Sequence, residues 1–114
     1  MSPIAQFTPQ WHTLQMDDLK RPPTSKKAIG IRLELTRLAL GMKPGDFASR
    51  AGIAKSTYSN YASGAREPDL ALALKLCNTY ELTLDWIYRG DPSGLKYALA
   101  NKINKLRQER NRLS

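Results

Sequence analysis

The chain has 114 residues, 41% of them hydrophobic, which is enough for one small domain with a modest core. Eighteen Lys and Arg stand against ten Asp and Glu, and the resulting net charge of +8 favours polyanionic partners, nucleic acid first. One cysteine excludes an internal disulfide, one histidine beside it leaves no metal-ligand set, and no 18-residue apolar run exists to span a membrane.

Residues 1–25 contain four of the seven prolines (Pro3, Pro9, Pro22 and Pro23) and no long helical period. Lys20 and Arg21 cancel Asp17 and Asp18. The segment reads as an extended N-terminal arm with room for a helical turn near 11–19, stiffened at Pro22-Pro23. Whether it is solvated or docked on the domain or a partner stays open. The first residues lack the basic start and apolar stretch of a secretion signal, so a cytoplasmic, nucleoid-associated location is expected.

From Lys26 the spacing turns helical. Ile29, Leu33, Arg37 and Leu40 lie 4, 4 and 3 residues apart, with Leu35 and Leu38 widening the face. Ser25 can cap this helix and Gly41 can stop it. A second helix is expected from Pro44, where a missing N–H costs little, through Phe47, Ala48 and Ala51 to Gly52. A third is expected from Lys55 to Ser63, ended by Gly64. Pro68-Asp69 opens a fourth, Leu70 to Tyr80, with Leu70, Ala73, Leu74 and Cys77 along one side. Thr83 can cap a short fifth, Leu84–Arg89, that stops at Gly90. After Asp91-Pro92-Ser93-Gly94 a last helix is expected over 95–112. Nothing alternates with period two for long enough to make a strand. The fold class is therefore all-α, divided into an arm at 1–25, a folded domain at 26–91 and a basic C-terminal helix at 92–114.

The ordered set Ile29-Gly30-Ile31-Arg32-Leu33, Arg37, Phe47-Ala48, Gly52-Ile53, Ser56-Thr57-Tyr58-Ser59-Asn60-Tyr61, Gly64, Arg66-Glu67-Pro68 and Leu82-Thr83-Leu84-Asp85-Trp86-Ile87 resembles the phage-repressor-like (Cro/cI-type) helix-turn-helix family. Its members are also called xenobiotic-response-element regulators. The likeness covers Ile29 to Gly90, just over half of the chain. It implies a five-helix lambda-repressor-like DNA-binding domain whose third helix enters the major groove. Carried over residue by residue, the base readers are Lys55, Ser56, Ser59 and Asn60. Lys55 suits guanine O6 or N7, and Asn60 suits adenine N6 and N7. A cation in a first helical turn is unfavourable by about 0.3–1 kcal/mol, a penalty that a nearby phosphate offsets. Lys43, Tyr61, Ser63 and Arg66 are the candidate phosphate contacts. For Tyr61 a packed ring without such a contact is an equal alternative, and for Tyr58 it is the favoured one.

Three positions depart from the family's pattern. Pro44 stands where relatives often place a phosphate-touching Gln, and Ala54 where they place a Ser or Thr cap, a loss of about 1 kcal/mol. The family also pairs the helix-one arginine with a glutamate late in the third helix, but Ala62 occupies that position. An unpaired buried arginine is costly, so Arg37 is expected to turn toward solvent, a phosphate or another carboxylate.

The last helix carries Lys96, Lys102, Lys105, Arg107, Arg110 and Arg112 against Glu109, and an apolar stripe of Leu95, Leu99, Ile103, Leu106 and Leu113. It can dock on its own domain or a twin subunit, or lie along DNA; docking is favoured for the stripe. One such motif reads few base pairs, so the resemblance implies a homodimer on an inverted repeat. Trp86, Ile87 and Tyr88 lie where relatives often bury a subunit interface, although completing the monomer core is an equal reading for Trp86 and Ile87. His12 falls in the arm and Cys77 reads as a packed thiol. No phosphate-binding glycine loop or catalytic triad is visible, so neither an enzyme nor a cofactor is expected. The function expected is a sequence-specific, double-stranded DNA-binding transcriptional regulator, a repressor by occlusion, with a protein antagonist or polymerase as a further partner. The alternative is an antitoxin-like or adaptor protein whose DNA binding serves autoregulation.

Overall fold

The computed structural model describes residues 24–113, the side chain of Leu113 excepted. The arm expected over 1–25, and His12 with it, lies outside the described residues apart from its last two. Six helices follow: α1 (Lys26–Ala39), α2 (Pro44–Arg50), α3 (Lys55–Ser63), α4 (Leu70–Tyr80), the short π-wound α5 (Asp85–Arg89) and α6 (Tyr97–Leu113). No strand occurs among the described residues, so the fold is all-α as expected.

Local signals account for the helix ends. Ser25 caps α1 by accepting the Ala28 N–H at 3.1 Å, and Asp69 caps α4 by accepting the Leu72 N–H at 2.9 Å. Thr83 Oγ1 accepts the Trp86 N–H at 2.9 Å at the start of α5. Gly52 at φ +75 and Gly64 at φ +84 take the left-handed conformation that ends α2 and α3. Gly64 returns its N–H to the Tyr61 carbonyl at 3.1 Å. Pro68, buried, keeps the chain from running straight on into α4.

Helix α1 is the central element: α3 packs on it, and so do α5 and α6, while α2 packs on α3. The core gathers Ile29 and Leu33 of α1, Phe47 of α2, Tyr58 and Tyr61 of α3, Leu76 of α4, Trp86 and Ile87 of α5, and Ile103 of α6. Phe47 meets Tyr58 edge-on at 5.2 Å and stacks on Tyr80 at 4.5 Å. Ala48 is fully enclosed where α2 meets its neighbours.

Two helices keep only part of their expected inward faces. On α1, Ile29, Leu33 and Leu35 face inward as expected, but Leu38 and Leu40 are exposed, and Arg32, Thr36 and Ala39 take inward places. On α4 the inner face is Ala73, Leu76 and Cys77, with Leu70 and Leu74 exposed. The run Leu70-Ala71-Leu72-Ala73-Leu74 offers apolar residues on several faces, so helical periodicity alone does not select one. The C-terminal helix docks on the chain's own domain. Leu95 and Ile103 are buried, Leu99 and Leu106 pack against the core, and Arg107 lies 5.0 Å above the Trp86 ring.

Candidate nucleic-acid interface

Helix α3 has two unlike sides. Tyr58 and Tyr61 point into the core at 1% exposure each, which fixes the helix by burial. Lys55, Ser56, Ser59 and Asn60 are all exposed. At ~100° per residue these four span an arc of about 140° on the outer side. Neither α2 nor α3 has a side-chain cap, since Lys43 and Ala54 occupy the cap positions without bonding to the first turn. First-turn N–H groups are thereby left without a side-chain acceptor, a favourable setting for anionic oxygens. The stem of Lys55 runs beside Gly45, 3.7 Å from where a Cβ would sit there, so its ammonium lies near the start of both helices.

The candidate phosphate contacts separate into two groups. Lys43 and Arg66 are exposed, before α2 and after α3. Ser63 is also exposed, but its hydroxyl donates to the Asn60 carbonyl at 3.2 Å and accepts the Ala65 N–H at 3.3 Å. Tyr61 is different. Its hydroxyl is enclosed and meets no hydrogen-bond partner among the described residues, and its ring packs in the core. Burial raises its pKa, and Asp69 adds to the rise. Of the two readings held open for Tyr61, this enclosure favours the packed ring. Tyr61→Phe should leave DNA affinity unchanged and raise stability by about 1 kcal/mol, because it removes an unsatisfied buried hydroxyl. A parallel titration and thermal melt check both, and a clear loss of affinity would restore the phosphate contact.

Trp86 and Ile87 have no exposed surface to offer a second subunit. Both are at 0% exposure, and Trp86 Nε1 donates to Thr36 Oγ1 at 2.9 Å. They complete the monomer core, the second of the two readings held open for them. Tyr88 is half-buried and donates its hydroxyl to the Pro68 carbonyl at 2.6 Å.

Of two arginines on α1, Arg32 has a role that the sequence pattern did not assign, and Arg37 takes one of the partners expected of it. Arg32 is buried, and its Nε and Nη2 donate to the Ile87 carbonyl at 3.1 and 2.8 Å. Burial, with Arg107 nearby, lowers its pKa to about 10, which leaves it charged at neutral pH and tied to α5. Arg37 does find another carboxylate, and it lies one turn away on the same helix. Its Nη2 and Nε donate to the two oxygens of Glu34 at 2.7 and 3.1 Å, and its Nη1 donates to the Met42 carbonyl at 2.8 Å. Tyr58 donates its hydroxyl to the same Glu34 carboxylate at 2.5 Å. The Arg37 guanidinium, aided by the Tyr58 hydroxyl, holds the Glu34 carboxyl below its usual range despite partial burial. Burial, and then Glu34, push the Tyr58 phenol up.

Among the described residues no group of three His, Cys, Asp or Glu side chains could hold a metal ion. No helix among them is long and apolar enough to cross a membrane. The free thiol of Cys77 is buried, and burial raises its pKa, which suits packing better than nucleophilic chemistry. Compared with known proteins, residues 33–87 match a family model described as helix-turn-helix. No curated protein and no solved structure matches the chain.

Proposed function

Since residues 33–87 belong to the Cro/cI-type helix-turn-helix family, whose members are DNA-binding transcription regulators, we propose that this chain reads a specific operator through α3 and represses transcription by covering promoter DNA. The observation that carries the reading is the two-sidedness of α3: an aromatic side locked in the core and four exposed polar side chains opposite. A helix held this way fits the major groove with its first turns toward base edges. Lys43 and Arg66 flank it as phosphate contacts, with Ser63 beside them. The cations of α6 add non-specific attraction to the polyanion, whose strength falls as salt rises.

One helix-turn-helix spans too few base pairs for a unique site, so the functional unit is a homodimer on an inverted repeat with half-sites about one helical turn apart. Its contact uses surface other than the buried Trp86 and Ile87. Selection of bound fragments from a random duplex pool tests this reading, because it yields both the site and its symmetry. Within the selected site, Asn60→Ala should relax preference at one base pair by about 1–3 kcal/mol. Equal loss on every sequence would move Asn60 to the backbone. If no sequence is enriched while a stoichiometric protein partner is recovered, the antitoxin-like alternative takes over.

A further inference from the structure

We propose that Glu34 is a positioning residue for the recognition helix, setting the angle at which α3 presents its base-reading side chains. The inference rests on the reading of α3 given above.

Two donors from different helices meet on this one carboxylate, and one of them, Arg37, carries a further bond to a third segment. Tyr58 brings α3, Arg37 brings the end of α1, and the Arg37 bond to the Met42 carbonyl brings the loop that leads into α2. Glu34 thus ties α3 directly to α1, while Arg37 of the same ion pair ties the loop that leads into α2. The site also lies beside the reading surface. Glu34 and Tyr58 line an open groove together with Pro44, Ser59, Ala62 and Ser63, and Ser59 is one of the four base-reading candidates.

The chemistry suits positioning better than general stabilisation. Arg37 is 13% exposed and Glu34 33% exposed, so the pair is partly shielded and held in bidentate geometry. A bidentate guanidinium-carboxylate bond fixes orientation as well as distance, and the phenol bond at 2.5 Å extends that fixed frame to α3. Where the related family uses a glutamate late in the recognition helix, this chain has Ala62, and the acid is supplied from α1 with a phenol as intermediary. Arg37 also neutralises Glu34, which permits a carboxylate so close to a surface that meets phosphates.

The test compares the full chain with Tyr58→Phe, Glu34→Gln and Arg37→Lys. Tyr58→Phe keeps the ring and the core packing but removes the donor. Glu34→Gln keeps the shape but turns an amide N–H toward a guanidinium. Each is measured by thermal melting, by affinity for the selected operator and for a random duplex, and by the amide chemical shifts of residues 55–60. All three variants should stay helical and folded. Operator affinity should fall about tenfold, one base contact's share of preference, while random-duplex affinity stays within about twofold. The amide shifts of 55–60 should move in all three. Arg37→Lys, which keeps the charge but loses the bidentate geometry, should recover little of the preference. Equal loss on both duplexes, or lowered melting with unchanged preference, would make the network structural only and overturn the proposal. If the wild-type chain prefers no sequence, the reading of α3 fails by itself. The amide shifts still decide whether Glu34 sets the helix, and unmoved shifts in Tyr58→Phe would end that too.

Discussion

Gly30→Ala should lower the melting temperature, although alanine is the better helix former. In an ordinary helix interior the exchange gains about 0.5–1 kcal/mol. Here a Cβ would stand 2.5 Å from the Tyr61 carbonyl oxygen and 2.6 Å from that of Ala62. Both obstacles are backbone atoms of α3, which cannot step aside as a flexible side chain can. Relief requires α1 and α3 to separate along their crossing, loosening Ile29, Leu33, Tyr58 and Tyr61 together. Overpacking of that kind costs about 1–3 kcal/mol and sometimes more, so the clash outweighs the propensity gain. A calorimetric scan should show a fall of several degrees, at about 4–8 °C per kcal/mol for a small domain. Because the moved atoms belong to the recognition helix, operator affinity should fall with it. A melting temperature that rises would mean that the helices are not in contact at Gly30.

Trp86→Ala should be the most damaging single truncation among the described residues. Its ring is the largest of the fully buried side chains and links α5 to α1 and α6. Removal leaves a cavity, takes the donor from Thr36 Oγ1 and takes the ring from beneath Arg107. Truncations of this type cost about 3–5 kcal/mol, a large part of the 5–15 kcal/mol that holds a typical domain folded. The loss should be the same at dilute and concentrated protein, since the tryptophan serves its own chain. Denaturant titration at two concentrations a hundredfold apart checks this. A variant rescued by concentration would return Trp86 to a subunit contact.

Much of the fold was legible from local chemistry. Ser25, Pro44, Gly52, Gly64 and Asp69 mark helix ends through caps, a fixed φ or a left-handed turn, and each acts within a few residues of its own position. The two-sidedness of α3 was legible as well, because two tyrosines three residues apart alternate there with small polar side chains. The π-wound turn of α5 was not, since an expected helix over 84–89 carries no mark of its winding. Tyr61 was equally undecidable: a phenol suits a core wall and a phosphate alike, and only the enclosure of its oxygen separates them.

By itself the amino-acid sequence determined the helices of the described residues and their approximate limits, the helix-turn-helix motif and the excess of positive charge. All of these are properties of neighbours along the chain or of simple composition. The tertiary structure alone decided which faces of α1 and α4 turn inward, that Glu34 answers Arg37 and Tyr58, that Gly30 is a crossing point, and that α6 and Trp86 close the chain's own core. The physical reason is reach: apolar stripes broad enough to be stable tolerate several rotations. The choice among them falls to contacts between residues such as Gly30 and Tyr61, or Thr36 and Trp86, that meet only after the helices pack.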